Sequence, residues 1–331
     1  MTNFRSLQVV QKDEEIIPLI QTLTTQELAA GSVRLRVDYS SVNYKDALAL
    51  KKNGGVIRHY PMTPGIDLAG EVLLSTDPEW PVGTQVIVTG FDLGVSAPGG
   101  YSEIQDVPSN WLVRLPQSLT AKQSMVFGTA GFTAALAVQA LTKILTNKTA
   151  PIAITGATGG VASIAIALLA SLGYKNITAI TRKTENTTWL QTVGATAIVT
   201  PNEVLPEKQR PLGRQQFAGI IDTVGGTLLS QLLPLVQYQG VVALCGNAGG
   251  IQIETTVLPF ILRAIHLIGI DSVAIPISQR ATIWQFLTEH QTKLAAIPQQ
   301  TITLDELLPL TEQLVAGTHQ GRTILKLEVT K

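Results

Sequence analysis

Residues 151–186 read PIAITGATGGVASIAIALLASLGYKNITAITRKTEN. A short apolar run, Ile152–Thr155, enters a turn containing Gly156, Gly159 and Gly160. An apolar stretch of helical length leaves the turn, and a second apolar run, Ile177–Thr181, ends in Arg182 and Lys183. Glycines let the backbone turn tightly and approach a ligand closely, and the N-terminus of the following helix offers unpaired N–H groups to a pyrophosphate. On the pattern G-x-G-x-x-G/A the marked positions are Ala157, Gly159 and Ala162, so the first glycine is absent. A plain tight strand-to-helix turn is the competing reading. Thr158, Gly159 and Gly160 are the expected cofactor contacts of the turn.

Outward from this stretch, further strand-length apolar runs alternate with helical segments: Ala197–Thr200, Ala218–Asp222, Gly240–Cys245 and Ile265–Ile270. Six such runs predict a parallel sheet made of two mononucleotide-binding halves. The turn also fits the short-chain dehydrogenase pattern T-G-x-x-x-G-x-G, but that family needs a later Tyr-x-x-x-Lys. Neither Tyr174 nor Tyr238 has a lysine four positions on. The end of the second run selects the cofactor. An NAD site places an acid about 20 residues after the turn, to accept hydrogen bonds from the ribose 2′-OH. Thr181, Arg182 and Lys183 stand there instead and suit a 2′-phosphate through charge-assisted hydrogen bonds. The alternative is a solvated basic loop. The expected cofactor is NADPH.

Upstream the texture differs. Ser32–Tyr39 alternates with period 2, and Pro and Gly punctuate residues 61–100, which reads as a β-rich domain with long loops. Downstream, a helix is expected over Gln279–Leu294, and Thr301–Lys331 ends in a strand, ILKLEV, that returns to the first domain. The expectation is a doubly wound α/β domain, residues 122–294, inserted in a β-rich domain, residues 1–121 and 295–331. Of the 331 residues 45% are hydrophobic and 15% charged, and Lys+Arg and Asp+Glu both count 24. No basic excess points to nucleic acid. The N-terminus MTNFRSLQVV lacks the pattern of a signal peptide. Val161–Leu172 reads as the longest apolar stretch, too short for a bilayer span of about 20 residues. A single cysteine, Cys245, gives no internal disulfide or cysteine-built zinc site, and no two of the four histidines have metal-ligand spacing. A cytoplasmic protein without membrane or nucleic-acid partners is expected.

The layout resembles the medium-chain dehydrogenase/reductase superfamily over essentially the whole chain. Its zinc alcohol dehydrogenases carry C-x-x-D and G-H-E segments and a four-cysteine loop. Here residues 43–46 read NYKD and residues 65–67 read GID, and the cysteine loop is missing. No metal is expected. Within the superfamily the chain resembles the zinc-free quinone oxidoreductases of the YhdH/YhfP group, which includes NADPH-dependent acrylyl-CoA reductases. The resemblance rests on residues 43–50 (NYKDALAL), 64–72 (PGIDLAGEV), 128–138 (GTAGFTAALAV), 155–163 (TGATGGVAS), 222–226 (DTVGG), 244–250 (LCGNAGG), 267–273 (LIGIDSV) and 321–327 (GRTILKL). Ala162 departs from the usual glycine, and TRKTEN from the usual S-G-R.

This resemblance implies a Rossmann domain inserted in a GroES-like domain, and a homodimer paired through the last strand of the cofactor domain. It also implies hydride transfer to the β-carbon of a conjugated carbonyl, acryloyl-CoA or a related enone, with the negative charge met by hydrogen-bond donors. A quinone is the alternative acceptor, and a non-catalytic NADPH-binding protein the third reading. Asn43, Tyr44 and Asp46 then occupy the emptied zinc position. Asn43 donates an amide hydrogen bond, and Tyr44, which also touches the cofactor, donates a bond or proton. Asn43 and Asp46 also suit the cap and first turn of a helix. Thr133 is implied at the nicotinamide, with Val161 against the ring. Gly246, Asn247, Ile270, Asp271 and Ser272 follow at strand ends. Arg322 either closes over the cofactor or is a surface arginine. Lys51 and Lys52 read first as charges that suit a helix end before Gly-Gly, and with Arg58 they give, as the second reading, a basic rim for CoA phosphates.

Overall fold

The computed structural model describes residues 1–183, 185 and 187–328. Thr184 and Asn186 of the basic loop and Val329 of the expected last strand lie outside them. The chain divides into two compact units: Met1–Thr129, Val273–Thr288 and Gln299–Lys331 form the first, and Ala130–Ser272 with Glu289–Pro298 the second.

In chain order the elements are β1 (Asn3–Lys12), β2 (Glu15–Thr24), β3 (Ser32–Val42), α1 (Tyr44–Ala49), β4 (Asp67–Ser75), β5 (Gln85–Thr89), β6 (Ile104–Pro108) and β7 (Val113–Arg114). Then come α2 (Ala121–Ile144), β8 (Ile152–Thr155), α3 (Gly160–Ser171), β9 (Ile177–Ile180), α4 (Trp189–Val193), β10 (Ala197–Val199), α5 (Pro201–Val204) and β11 (Phe217–Asp222). The chain ends with α6 (Gly226–Leu232), β12 (Val236–Leu244), α7 (Leu258–Arg263), β13 (His266–Gly269), α8 (Ile277–Glu289), β14 (Gln299–Ile302), α9 (Leu307–Ala316) and β15 (Arg322–Lys326).

The second unit holds a parallel six-stranded sheet in the order β10-β9-β8-β11-β12-β13. Counted from β8 this is 3-2-1-4-5-6, the doubly wound order, whose switch point lies between β8 and β11. Ile152, Ala153 and Ile154 have no exposed surface, as expected where helices cover both faces of a parallel sheet. α3 is buried from Ala162 to Leu169, so it is a core helix and not an amphipathic surface one. Each fully buried Ile or Leu contributes about 1.5–3 kcal/mol. All six apolar runs are strands. β12 starts at Val236 and not at Gly240: Val236 is buried, but Gln237, Tyr238 and Gln239, the last at φ 55, are half-buried or exposed and interrupt the apolar run. The helix expected over Gln279–Leu294 ends at Glu289, and a separate 3₁₀ turn covers Gln291–Ala296.

The first unit is a seven-stranded sheet in which β14, β15, β3, β4, β5 and β7 lie in that order and β6 also pairs with β3. Val33, Leu35 and Val37 of β3 point into its core, alternating with Arg34 and Arg36. β15 pairs antiparallel with β3, with Thr323 opposite Val42. The β1–β2 hairpin is tied down by paired backbone hydrogen bonds between Val9 and Met62, 2.7 and 3.0 Å.

α2 corrects the reading of apolar length. Its 24 residues, and not Val161–Leu172, are long and apolar enough to cross a bilayer, but 72% of the apolar window is buried. Gly128 breaks the helix at φ 50, ψ −155, a conformation that only glycine adopts without strain.

Candidate active site

In the second unit β8 delivers the chain to Gly156 at φ +61, where a Cβ would stand 2.6 Å from Thr223 Oγ1. The turn closes with Gly159 N–H donating to Gly156 O, 2.8 Å, and is held to β9 by Ala157 N–H donating to Ile180 O, 3.1 Å. α3 then begins at Gly160, presenting its free amides beside Thr158 and Gly159. Asp222, at the carboxyl end of β11, fixes this corner. It accepts from the Thr155 hydroxyl and from Gly225 N–H, both at 2.7 Å. Thr223 N–H donates back to Thr155 Oγ1 at 2.9 Å. Burial raises the Asp222 carboxyl above its ordinary range.

At the end of β9, Thr181 is buried and its hydroxyl accepts from Lys183 N–H, 3.1 Å, in a local turn. Arg182 is exposed and Lys183 half-buried. Burial, and then the Arg182 charge, hold the Lys183 ammonium below the usual lysine value. Two cations thus crowd the position where an NAD site keeps an acid. Thr133 donates to Ser272 Oγ at 2.8 Å, which joins two of the expected nicotinamide residues, and Ile270 N–H donates to Leu244 O at 2.9 Å. Gly246 and Asn247 follow the end of β12 after Cys245. An open helix N-terminus, a turn with no room for a side chain at Gly156 and two cations at the β9 end fit a dinucleotide bearing a 2′-phosphate.

In the first unit a buried polar cluster is assembled from four separate segments. Asn43 caps α1, its N–H donating to Asp46 Oδ2 at 3.0 Å, and Ile66 N–H donates to Asp46 Oδ1 at 2.9 Å. The Asn43 amide nitrogen lies 2.8 Å from Asp67 Oδ2 and 3.1 Å from both Asp46 Oδ2 and Ser41 Oγ. Its oxygen accepts from Arg322 Nη1 at 3.3 Å. Asp67 also accepts from the hydroxyls of Ser41 and Thr129, and from Thr129 N–H at 2.9 and 3.0 Å. That last donor opens the helical stretch after the Gly128 break, so a helix N-terminus faces the carboxylate. A Cβ on Gly128 would lie 2.6 Å from Asp67 Oδ2 and from Ser41 Oγ.

The cluster holds two carboxyls and one guanidinium, so one proton would make it neutral. Asp46 has no exposed surface, and its carboxyl is pushed up to about 7 by burial and then by the neighbouring Asp67. Burial, followed by the charge of Asp46, lifts Tyr101 well above the ordinary phenol range. Burial also lowers the Arg322 guanidinium.

Two expected roles change. Arg322 is neither a surface residue nor free to close over a ligand. It is 3% exposed, and its Nε donates to Val126 O at 2.7 Å within the first unit. Asn43 has two amide hydrogens and three acceptors already in reach, so its donors are directed inward and not toward an outside oxyanion. Tyr44, the first residue of α1, is half-buried, and its hydroxyl has no hydrogen-bond partner among the described residues. Lys51 and Lys52 line a recess after α1, whereas Arg58 is exposed outside it. Asp222, Tyr101 and Thr129 escaped sequence reasoning. Only the buried-acid residue in DTVGG carried a local signal, a carboxylate ending a wholly apolar strand. Among the described residues no group of three or more His, Cys, Asp or Glu side chains could hold a metal ion.

A doubly wound sheet with this glycine turn, together with a β-rich unit whose N-capped α1 follows β3, defines an oxidoreductase scaffold of the alcohol dehydrogenase type. Residues 29–117 match the alcohol dehydrogenase GroES-like domain and residues 160–289 the zinc-binding dehydrogenase family. Acrylyl-CoA reductase AcuI of Ruegeria pomeroyi is 42% identical over 96% of this chain and 97% of its own. Escherichia coli K-12 YhdH, solved with bound NADPH, superposes with a TM-score of 0.92 at 40% identity, over 98% of this chain and 100% of that one. Bacillus subtilis YhfP, named a quinone oxidoreductase and solved with NAD bound, gives 0.94 at 40% identity, over 99% and 100%. The chain belongs to the medium-chain dehydrogenase/reductase family, in the group of these quinone oxidoreductases and acrylyl-CoA reductases.

Proposed function

We propose that this protein is an NADPH-dependent reductase of a conjugated C=C bond, acryloyl-CoA or a related enone, that works without a metal. One observation carries the reading: Asn43 and Ile66 fill the positions where the zinc dehydrogenases have cysteine and histidine, while the cofactor turn is intact. NADPH bound there supplies a hydride to an acceptor that carries its own electron sink, which needs no Lewis acid. The choice of NADPH over NADH rests on Thr181, Arg182 and Lys183.

The chain's residues orient the partners and receive charge. Thr158, Gly159 and Gly160 hold phosphate through backbone amides, and Val161 packs on the nicotinamide. Gly246, Asn247, Ile270, Asp271 and the Thr133–Ser272 pair line its pocket. The Tyr44 hydroxyl donates a hydrogen bond or proton to the developing enolate oxygen. Asn43 and Asp46 fix the start of α1, and with it Tyr44, and Arg322 holds Asn43. In this reading the first unit is the substrate domain and the second the cofactor domain. Of the expected cofactor domain 122–294, residues 122–129 and 273–288 therefore go with the substrate domain, and of the expected 1–121 with 295–331, residues 295–298 go with the cofactor domain. The protein is a homodimer: β13 is the outermost strand of its sheet, and Ile251, Val257, Ile261 and Leu262 are exposed near it in sequence. A cytoplasmic location suits a single unpaired cysteine and the NADPH supply.

The test is steady-state oxidation of 4-deuterated NADPH over acryloyl-CoA, simple enones and quinones. Acryloyl-CoA should be the best acceptor, with deuterium on its β-carbon and a rate insensitive to chelators. Faster quinone turnover, or deuterium absent from the β-carbon, replaces this reading with quinone reduction.

A further inference from the structure

An acyl-CoA carries its reacting group on a long arm that ends in a phosphorylated adenosine. A protein that takes one gains from a cationic, partly apolar recess at arm's length from the reacting residues. α1 leads to such a place. Asn43 caps its start and Leu50 its end, and Lys51 and Lys52 follow directly. At a rise of 1.5 Å per residue, the run from Asn43 to Lys51 covers about 12 Å. An extended pantetheine arm, about as long as four or five extended residues, reaches roughly 15 Å.

The recess itself has a volume of about 400 Å³, within the range of small-molecule sites. One wall is the end of the β1–β2 hairpin, with Glu14 and Ile16, and the other is the segment after α1, with Lys51, Lys52, Val56 and Tyr60. The backbone bonds between Val9 and Met62 fix the two walls against each other. Lys52 bridges to Glu14 at 3.4 Å with both side chains largely exposed, a weak pair that an arriving phosphate can displace. Lys51 makes no ion pair among the described residues. The recess therefore offers net positive charge at its mouth beside an apolar and aromatic wall, the pattern that suits a phosphorylated nucleoside.

We propose that this recess binds the phosphorylated adenosine end of the acyl-CoA substrate, with Lys51 and Lys52 on its phosphates and Ile16, Val56 and Tyr60 against the base. The proposal rests on the thioester reading above. A free quinone has no group to place there.

The experiment compares the full-length protein with the double variant Lys51→Gln/Lys52→Gln, both loaded with NADP⁺. Both lysines are exposed, and equal melting temperatures confirm the fold. Coenzyme A itself is titrated into each by calorimetry. The variant should bind it about ten- to a hundredfold more weakly, the scale of lost charge-assisted phosphate contacts. In turnover, the ratio of KM for acryloyl-CoA to KM for acryloyl-pantetheine, which lacks the nucleotide, should rise by about the same factor. Equal CoA affinity in the two proteins, no CoA binding by the parent, or parallel rises in both KM values would each overturn the proposal. CoA binding that depends on the lysines, without reduction of either thioester, would uphold the recess and remove the thioester reductase reading.

Discussion

Replacing Asp46 by Asn is expected to change how stability depends on pH. The Asp46 carboxyl moves from an ordinary 3.8 to about 7 in the folded protein, chiefly because it is fully buried. Between those values the folded state holds a proton that the unfolded chain has released. Stability therefore falls as the pH rises through this window and levels off above about 7. From about pH 5 to about pH 8.5 the loss integrates to about 3 kcal/mol. The variant has no titrating group there, so it should lack this component. It carries a constant cost, because its amide nitrogen must face either Ile66 N–H or the Asn43 donors, a mismatch of about 1–3 kcal/mol. Wild type should thus be the more stable protein near pH 5, with the advantage shrinking or reversing near pH 8.5. Guanidinium unfolding followed by tryptophan fluorescence reads this directly, since Trp80, Trp111 and Trp284 all belong to the unit that contains Asp46. Parallel stability curves for the two proteins between those pH values would refute the buried-proton argument.

Three further outcomes are expected. Arg182→Ala should weaken NADPH by about ten- to a hundredfold while leaving NADH nearly unchanged, measured as KM for each cofactor; equal losses for both would exclude a 2′-phosphate contact. Tyr44→Phe should lower enone turnover by about tenfold or more with little change in NADPH affinity, as expected for one lost hydrogen bond to developing charge; unchanged kcat would remove Tyr44 from the chemistry. Gly128→Ala forces a strained backbone and puts a methyl 2.6 Å from Asp67 Oδ2, so a loss of at least about 2–3 kcal/mol should appear as a lowered melting temperature. A melting point within a degree of wild type would show that the break at Gly128 relaxes freely.

The parts of this protein legible in its sequence are those written in local patterns. The parallel strands announce themselves as apolar runs, most fully β8 and β11, whose residues are buried throughout because both faces are covered. The β3 alternation of Val33, Leu35 and Val37 with arginines shows one buried face. Ile66 and Asn43 could be read as filling metal-ligand positions, because their neighbours Asp46 and Asp67 mark the segments. The buried cluster resisted reading because its four segments, near residues 43, 67, 129 and 322, with Tyr101 beside them, come together only through sheet register. Arg322 looked available to a ligand for that reason: its bonds to Val126 and Asn43 exist only once β15 lies beside β3. The Gly128 break was likewise hidden inside an apolar run, since a glycine alone does not tell a tolerated helix residue from a stop.

The position of β15 also has a consequence for how the molecule is made. Arg322 leaves the ribosome 279 residues after Asn43, a delay of roughly 15–55 s at ordinary rates of synthesis. The segment Ala130–Ser272 emerges within that interval and contains the whole parallel sheet, so it can assemble while the chain is still growing. The β-rich unit cannot. Until its last strand arrives, β3 has an open edge and the two acidic side chains below it lack their cation. An arrested or clipped chain would therefore be a finished nucleotide-binding half attached to a sheet with an unpaired stretch of β3 at its edge, to which a strand from another molecule could add.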